Sequence, residues 1–184
     1  MSNNVTKKQM KTSNIIIICL LSSFQLMAQP THPSDEIMQF TYPKGTEKLD
    51  ERSYKDFCKK FDETLITKFD QHEYKKDALF FYYQNLSHPS ILKKSLENRL
   101  KLMASLTAQV PGNIVDDSEI ISVNNIRFFI IRYHEKNDWY LWFSSDYDKN
   151  LRFINGFIEY KKPDDAEATQ YLHDLLQSMH FKDN

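Results

Sequence analysis

Histidines are the first residues here that could do chemistry, because imidazole binds transition metals and moves protons near neutral pH. The chain has six histidines in 184 residues, and His72, His134 and His173 each stand beside an acid. A zinc site needs three or four converging ligands, commonly with two histidines four residues apart on a helix. No two histidines in this sequence have that spacing. We therefore predict no metal site and no metal cofactor.

A second candidate for metal chemistry is the run Asp146-Tyr147-Asp148-Lys149-Asn150, which begins like a calcium-binding loop. Such a loop requires Gly at its sixth position and Glu at its twelfth. This chain has Leu151 and Phe157 there, so the pattern fails after its fifth residue. The run is better explained as a polar hairpin turn that binds no calcium.

No pattern in the sequence is typical of nucleophilic or acid–base catalysis. Cys58 lies between Phe57 and Phe61, a setting typical of a buried thiol and not of an exposed, electropositive nucleophile. The chain lacks a G-x-S-x-G motif, and its three glycines cannot build a glycine-rich phosphate loop. Acids cluster at 116–119 and 164–167, as expected of a polar turn and a helix N-terminus. We predict no catalytic residue, no cofactor and no enzymatic activity.

The densest group of possible binding residues is aromatic: Trp139, Tyr140, Trp142, Phe143 and Tyr147. Trp and Tyr are enriched in binding surfaces because they combine a large apolar area with one polar atom. Side chains alternate between the two faces of a strand, so Tyr140 and Trp142 share a face that Trp139 and Phe143 do not. If that face is open, Tyr140, Trp142 and Tyr147 form the candidate binding surface. If helices cover both faces, the same residues belong to the core.

The first 28 residues have the pattern of a secretory signal: three lysines, an apolar run over 15–21, and Ala28 at the end. We predict cleavage after Ala28 and a periplasmic or secreted protein. The apolar run is shorter than the roughly 20 residues that span a bilayer, so no transmembrane span is expected after cleavage. Cys19 follows the bulky Ile18, which does not suit a lipidated cysteine.

Removal of residues 1–28 changes the charge and the cysteine count. The chain has 24 basic and 25 acidic residues, and the segment takes away three lysines and no acid, leaving 21 against 25, a net charge of −4. That balance disfavours nucleic acid as a partner. Cys58 becomes the only cysteine, so the mature chain forms no internal disulfide. This is more typical of a bacterial envelope protein than of a small extracellular animal domain.

Three segments have the spacing of amphipathic helices. Apolar residues recur every three or four positions over 53–69, with Ser53 placed to cap, and over 89–107, with Pro89 at the first helical position. Near the C-terminus, Asp164 with Glu167 three residues later resembles a capping box. The buried stripe predicted for that third helix is Tyr171, Leu172, Leu175, Leu176 and Met179.

Strands are predicted from β-prone runs between the helices. Short candidates cover 37–42 and 78–83, and the central stretch is richer. There Asn124-Asn125 predicts a tight turn before 126–133, a strand that is apolar on both faces. The aromatic run 139–143 follows as the next strand.

One further hairpin completes the predicted fold. Asn155-Gly156 is the strongest short turn signal in the chain and predicts a hairpin that joins 151–154 to 157–160. Hairpin-linked strands flanked by three helices indicate an α+β domain, an antiparallel β-sheet with helices packed on it. We expect residues 29–35 to be a flexible lead-in and 36–182 to be a single domain.

The order of these elements resembles a known family. Taken in order, four features are similar to the PsbP-like/Mog-type αβα sandwich. They are a helix over 89–107, the Asn-rich turn Ile121-Ser122-Val123-Asn124-Asn125-Ile126, the strand end Tyr140-Leu141-Trp142-Phe143, and a last helix closing on Leu176-Gln177-Ser178-Met179-His180-Phe181. The resemblance covers residues 36–182 in element order. It implies a domain that binds partners without catalysis, and it transfers no catalytic residue.

Two functional hypotheses lead from these observations. The first is a secreted or periplasmic, non-catalytic α+β domain that binds a protein partner in the bacterial cell envelope. The second is a carrier of a small ligand or lipid in an aromatic-lined pocket. A hydrolase that uses His88 or His134 with an acid is the least favoured.

Overall fold

The computed structural model describes residues 29–30, 37–60, 72–87 and 94–182. Its helices in these ranges are α1 (Glu51–Lys60), α2 (Leu96–Gln109) and α3 (Asp165–Ser178), with a 3₁₀ turn, Lys162–Asp164, before α3. None of these described helices combines the length and the apolar character that a membrane crossing requires.

Ten strands accompany the helices in the part of the chain that the structure describes. They are β1 (Gln29–Pro30), β2 (Met38–Gln39), β3 (Glu47–Lys48), β4 (Glu73–Lys76), β5 (Leu79–Ser87), β6 (Asn113–Val123), β7 (Ile126–Glu135), β8 (Asp138–Ser145), β9 (Arg152–Lys161) and β10 (His180–Phe181). Eight form one antiparallel sheet in the order β3-β4-β5-β9-β8-β7-β6, with β1 paired to β5. The other two, β2 and β10, pair with each other.

Helices cover both faces of the sheet. On one face the side chains of α3, including Leu172 and Leu175, join a core with Phe128 and Phe143. On the other face α2 packs Met103 near strands β7 and β8, and α1 packs onto β5. The predicted class, an antiparallel sheet with helices packed on it in an αβα sandwich, is confirmed.

Two of the sequence patterns are also confirmed. Asn124 and Asn125 form the turn between β6 and β7, with φ angles of 51° and 63° that Asn tolerates better than most residues. The predicted stripe of the last helix is buried throughout: Tyr171, Leu172, Leu175, Leu176 and Met179.

The predicted ends of the helices are partly wrong. The first helix begins at Glu51, and Asp50 rather than Ser53 caps it, since Asp50 Oδ1 accepts the Ser53 N–H at 2.6 Å. The second helix, predicted over 89–107, begins at Leu96 within the described residues, because Ser95 is extended and its hydroxyl accepts the Asn98 N–H at 3.3 Å. Local side-chain caps decided both starts.

The third helix lacks its predicted capping box. Asp164 makes no side-chain capping bond, because the 3₁₀ turn runs directly into α3 and leaves Asp164 at φ −94° and ψ 10°, outside the extended capping conformation. Glu167 binds elsewhere, with its carboxylate 2.6 Å from Lys76 Nζ.

The hairpin predicted at Asn155-Gly156 is wrong, because both residues lie in the middle of β9. Gly156 is opposite Phe143 of β8 and Tyr83 of β5. A Cβ at this position would lie 2.8 Å from Phe143 Cζ and 2.8 Å from the Tyr82 carbonyl oxygen. The glycine is needed for close packing and not for a turn.

Several predictions fall outside the described residues. They concern the signal segment 1–28 with its cleavage site, most of the lead-in 29–35, the helical pattern beyond residue 60, and His88 with Pro89. The side chain of Cys58 is likewise not described.

Candidate functional site

A cleft of about 510 Å³ lies between the β2 segment and strands β4 and β5. Its lining residues are Met38, Gln39, Phe40, Tyr42, Tyr74, Tyr83 and Lys182. Tyr74 and Tyr83 are buried at 7% and 2% exposure and form the floor, whereas Phe40 and Tyr42 are partly exposed at the rim. Of the lining residues that the structure describes, Lys182 alone carries a formal charge at neutral pH.

The two ends of the described chain build one wall of this cleft. Strand β10 pairs with β2, and the Lys182 N–H donates to the Ile37 carbonyl at 3.0 Å. The Ser178 hydroxyl then fixes Thr41, since it accepts the Thr41 N–H at 3.0 Å and lies 3.0 Å from the Thr41 carbonyl oxygen. The segment that carries Phe40 and Tyr42 is therefore attached to the end of α3.

Four of the seven described lining residues are aromatic. Tyr42 stacks on Tyr74 with ring centroids 4.3 Å apart and planes 28° apart. Phe40 meets Tyr42 edge-on at 5.1 Å and Tyr83 edge-on at 5.2 Å. Such offset and edge-on pairs are the favoured aromatic geometries, so the walls hold a defined shape.

The polar groups of the cleft are phenol hydroxyls and amines. The hydroxyls of Tyr42 and Tyr83 lie 3.5 Å apart, and Lys48 Nζ lies 6.0 Å from the Tyr74 ring centroid. Burial, followed by hydrogen bonding to Tyr74 and Tyr83, raises the pKa of the Tyr42 hydroxyl far above its ordinary value. Tyr42 thus keeps its proton at any physiological pH.

A larger concavity, about 680 Å³, follows the exposed side of α1. Its described lining consists of exposed charged side chains, among them Arg52 and Lys55. A charged helix surface of this kind is ordinary solvated protein surface, so the aromatic cleft is the better candidate site.

The three aromatic residues predicted to bind lie in different environments. Trp142 is 8% exposed, packs at 6.2 Å edge-on to Phe129, and donates from its indole nitrogen to Asn155 Oδ1 at 2.6 Å. Helix α2 covers Trp142, as expected if helices cover both faces of the strand and Trp142 belongs to the core. Asn155, predicted to be a turn residue, is the partly buried partner that the indole needs.

Tyr140 and Tyr147 keep part of their surface exposed. Tyr140 stacks on Tyr133 of the neighbouring strand, with centroids 4.8 Å apart. Tyr147 packs edge-on against Phe153 at 5.4 Å and lies 4.8 Å from the Arg99 guanidinium. Each therefore has its own neighbours, and the binding role of these tyrosines stays a prediction.

The histidines and acids that could bind metals are dispersed in the described ranges. No group of three or more His, Cys, Asp or Glu side chains converges there. His134 stacks on Trp139 at 4.4 Å and hydrogen-bonds Asp116 at 2.7 Å. In the calcium-like run, the Asp148 carboxylate accepts the Arg152 backbone N–H at 2.8 Å and pairs with the Arg152 side chain at 2.7 Å.

Comparison with known proteins shows likeness in structure alone. No family model matches the chain, and no curated protein matches its sequence. The cyanobacterial PsbP protein of Synechocystis, CyanoP, is similar with a TM-score of 0.52 at 9% identity, over 85% of this chain and 93% of that one. LpqN of Mycobacterium tuberculosis, described as involved in cell envelope biogenesis, is similar with a TM-score of 0.51 at 7% identity, over 85% and 91%. The resemblance predicted from element order is confirmed at the level of fold: the chain has a PsbP-like fold.

Proposed function

We propose that this protein is a non-catalytic binding domain that acts outside the cytoplasm and holds a small apolar ligand in the aromatic cleft. The observation that carries the proposal is the cleft itself: about 510 Å³, walled by the rings of Phe40, Tyr42, Tyr74 and Tyr83. Ligand sites typically have volumes of about 300–1,000 Å³, mostly apolar walls and a few polar groups that orient the ligand.

A location outside the cytoplasm is supported by the N-terminal sequence. Residues 1–28 combine a basic start, a short apolar run and a small residue before the predicted cleavage site. The structural neighbour LpqN, described as involved in cell envelope biogenesis, is consistent with a periplasmic or secreted location.

The absence of catalysis is supported by the chemistry of the cleft. General acid–base catalysis needs a group whose pKa lies near the working pH. The Tyr42 hydroxyl is the central polar group of the cleft, and its pKa is raised far away from neutrality. Its hydroxyl can orient a ligand by donating a hydrogen bond, but it is a poor base or nucleophile.

The test begins with the full chain expressed in a bacterial host and purified from the periplasmic fraction. We expect neutral naphthylethanol to bind, as measured by titration calorimetry, and Tyr42→Ala to weaken binding about tenfold through loss of one stacking ring. Tyr140→Ala is the matched control, since it removes a partly exposed ring from the opposite face of the sheet. If naphthylethanol fails to bind, or if Tyr42→Ala binds it as well as wild type while remaining folded by circular dichroism, the proposed site is wrong.

A protein partner in the cell envelope is the second candidate. The observation that favours it is the stacked pair Tyr133 and Tyr140, which stays partly exposed although helices cover much of the same face. The same two variants distinguish the two functions. Protein binding through Tyr140 is supported if cross-linking recovers an envelope partner that is lost with Tyr140→Ala and kept with Tyr42→Ala. The reverse pattern excludes Tyr140 from the binding surface.

A further inference from the structure

Strand β6 forms one edge of the large sheet, and its outer side is open. It pairs with β7, and no described strand pairs with it on the other side. At the opposite end of the strand order β3 has only two residues, whereas β6 has eleven. Residues 116–119 are exposed, and Ile114 is 56% exposed. An open edge of this length can pair with a strand of another chain.

The geometry of the β6–β7 hairpin determines which backbone groups of β6 point outward. Both turn residues, 124–125, have positive φ, as in a type I′ turn, so Val123 and Ile126 form a hydrogen-bonded pair. Hydrogen-bonded and non-hydrogen-bonded pairs alternate along an antiparallel ladder, so Ile120 and Ser122 are in non-hydrogen-bonded pairs with β7. The N–H and C=O groups of Ile120 and Ser122 therefore face away from the sheet.

Two hydrogen bonds agree with this orientation. The carbonyl of Arg127, the residue opposite Ser122, accepts the Asp146 N–H at 2.7 Å and so points away from β6. The Ser118 N–H, which also faces outward, donates to Asp117 Oδ1 at 2.7 Å. The open ladder thus extends from the Ser118 carbonyl to Ser122.

The side chains of β6 give this edge a negative charge. The strand contains three acids, Asp116, Asp117 and Glu119, and no basic residue. Asp116 hydrogen-bonds His134 at 2.7 Å, whereas Asp117 and Glu119 form no ion pair within the described residues. Arg132, opposite Asp117 on β7, directs its guanidinium to helix α3 instead. The charges of Asp117 and Glu119 therefore remain available to a basic partner.

We propose that β6 binds an extended, basic segment of a partner protein as an additional strand of the sheet. Main-chain hydrogen bonds to the open ladder provide the affinity, and alternate lysine or arginine side chains lie opposite Asp117 and Glu119. A second copy of this chain is the competing occupant, but its β6 brings the same acids to the interface, where like charges repel. The aromatic cleft takes no part in this surface, so the proposal does not depend on the proposed function.

Amide exchange with water, measured residue by residue by NMR on the purified full-length product, tests the pairing. The probe is the peptide acetyl-Thr-Val-Val-Lys-Thr-Lys-amide, whose lysines lie opposite Glu119 and Asp117 when its first threonine is opposite Ser122. At a peptide concentration about ten times its dissociation constant, we expect exchange of the Ile120 and Ser122 N–H groups to slow about tenfold. The N–H groups of Glu119 and Ile121 face β7 and are expected not to change.

A second peptide and two variants test the role of charge. The same peptide with glutamate in place of both lysines is expected to bind about tenfold more weakly. Glu119→Lys should remove most of that preference. Glu51→Lys, on α1 across the sheet from β6, reverses the charge of another exposed acid and should leave the preference unchanged.

Ser122→Pro tests the backbone contact, because it removes an outward N–H that β7 does not use and that an edge strand can lose without unfolding. We expect it to abolish peptide binding, whereas Ser122→Ala keeps the N–H and binds as wild type. Equal affinity for both peptides, no binding of the lysine peptide, or binding that leaves exchange of the Ile120 and Ser122 amides unchanged would overturn the proposal. Slow exchange of these amides in the free protein that becomes faster on dilution would show a second copy on β6 and would also overturn it.

Discussion

Gly156 shows how one residue can carry a constraint that its sequence context hides. We expect Gly156→Ala to destabilise the fold by about 2–3 kcal/mol, as overpacking of a filled core does. The added Cβ would approach Phe143 Cζ and the Tyr82 carbonyl oxygen, both at 2.8 Å. Phe143 is fully buried, so its ring has little room to move. Urea unfolding of the purified protein measures the change in free energy.

The double variant Phe143→Leu/Gly156→Ala is the control for this mechanism. Leucine is shorter than phenylalanine, so we expect it to relieve the ring contact and to recover part of the stability lost in Gly156→Ala. The contact with the Tyr82 backbone remains, so recovery should be incomplete. A neutral or stabilising effect of Gly156→Ala would contradict the packing explanation.

Helix α2 is joined to the sheet through a buried arginine. Arg99 is 2% exposed, donates to the Ser145 carbonyl at 3.0 Å and to the Ser144 hydroxyl, and lies 4.2 Å from the Phe153 ring centroid. Burial lowers the pKa of its guanidinium, which reflects the cost of taking this charge out of water. The aliphatic part and the planar group fill space between α2 and the ends of β8 and β9.

We expect Arg99→Ala to cost about 3–4 kcal/mol because it leaves a cavity between helix and sheet. We expect Arg99→Met to cost about 1–2 kcal/mol less than Arg99→Ala, because methionine fills the space without burying a charge. Ser144 keeps a partner in either variant, since its hydroxyl also donates to the Ile154 carbonyl at 3.1 Å. Urea unfolding gives the free energies, and amide hydrogen exchange should localise the loss to α2. Equal costs for the two variants would mean that the charged hydrogen bonds outweigh the packing.

Among the secondary-structure elements, the sequence predicted best those whose apolar residues repeat with a regular spacing because they are buried. The stripe of α3 and the two apolar faces of β7 were visible because burial alone determines them. The start of α2 at Leu96 was not, because it depends on a local hydrogen bond from the Asn98 N–H to the Ser95 hydroxyl. Asn155-Gly156 failed for a similar reason: contacts with β5 and β8, which are distant in the chain, require that glycine in a strand.

The whole molecule brings distant segments together at the cleft. Its lining comes from residues 38–42, from Tyr74 and Tyr83 on adjacent strands, and from Lys182 near the C-terminus. No local spacing relates these positions, so sequence reasoning directed attention to the contiguous aromatic run around Trp142 instead. Within that run Trp142 and Phe143 are buried, whereas the cleft depends on the pairing of β2 with β10.

Buried and partly buried tyrosines on both sides of the sheet should make the entire fold sensitive to alkaline pH. Burial is the main cause that raises the pKa of five of them above the ordinary value of 10.0: Tyr42, Tyr133, Tyr147, Tyr160 and Tyr171. For Tyr171 the pKa rises to about 12. An unfolded chain would release the same protons near pH 10, so above that pH the folded state binds more protons than the unfolded state. Stability is therefore complete below pH 10 and falls as pH rises toward the folded pKa values.

Tyr171 isolates one part of this effect. Its shift from 10.0 to about 12 corresponds to about 2–3 kcal/mol of stability that is lost between these two pH values. Tyr171→Phe cannot ionise, and it also gives up the hydrogen bond from the Thr46 hydroxyl at 3.1 Å, so it should be slightly less stable than wild type at pH 8. Urea midpoints measured from pH 8 to pH 11.5 should then show the wild-type curve falling more steeply and approaching that of the variant. Parallel curves would mean that Tyr171 ionises as readily in the folded chain as in the unfolded one, and burial of its hydroxyl would not contribute to alkaline unfolding.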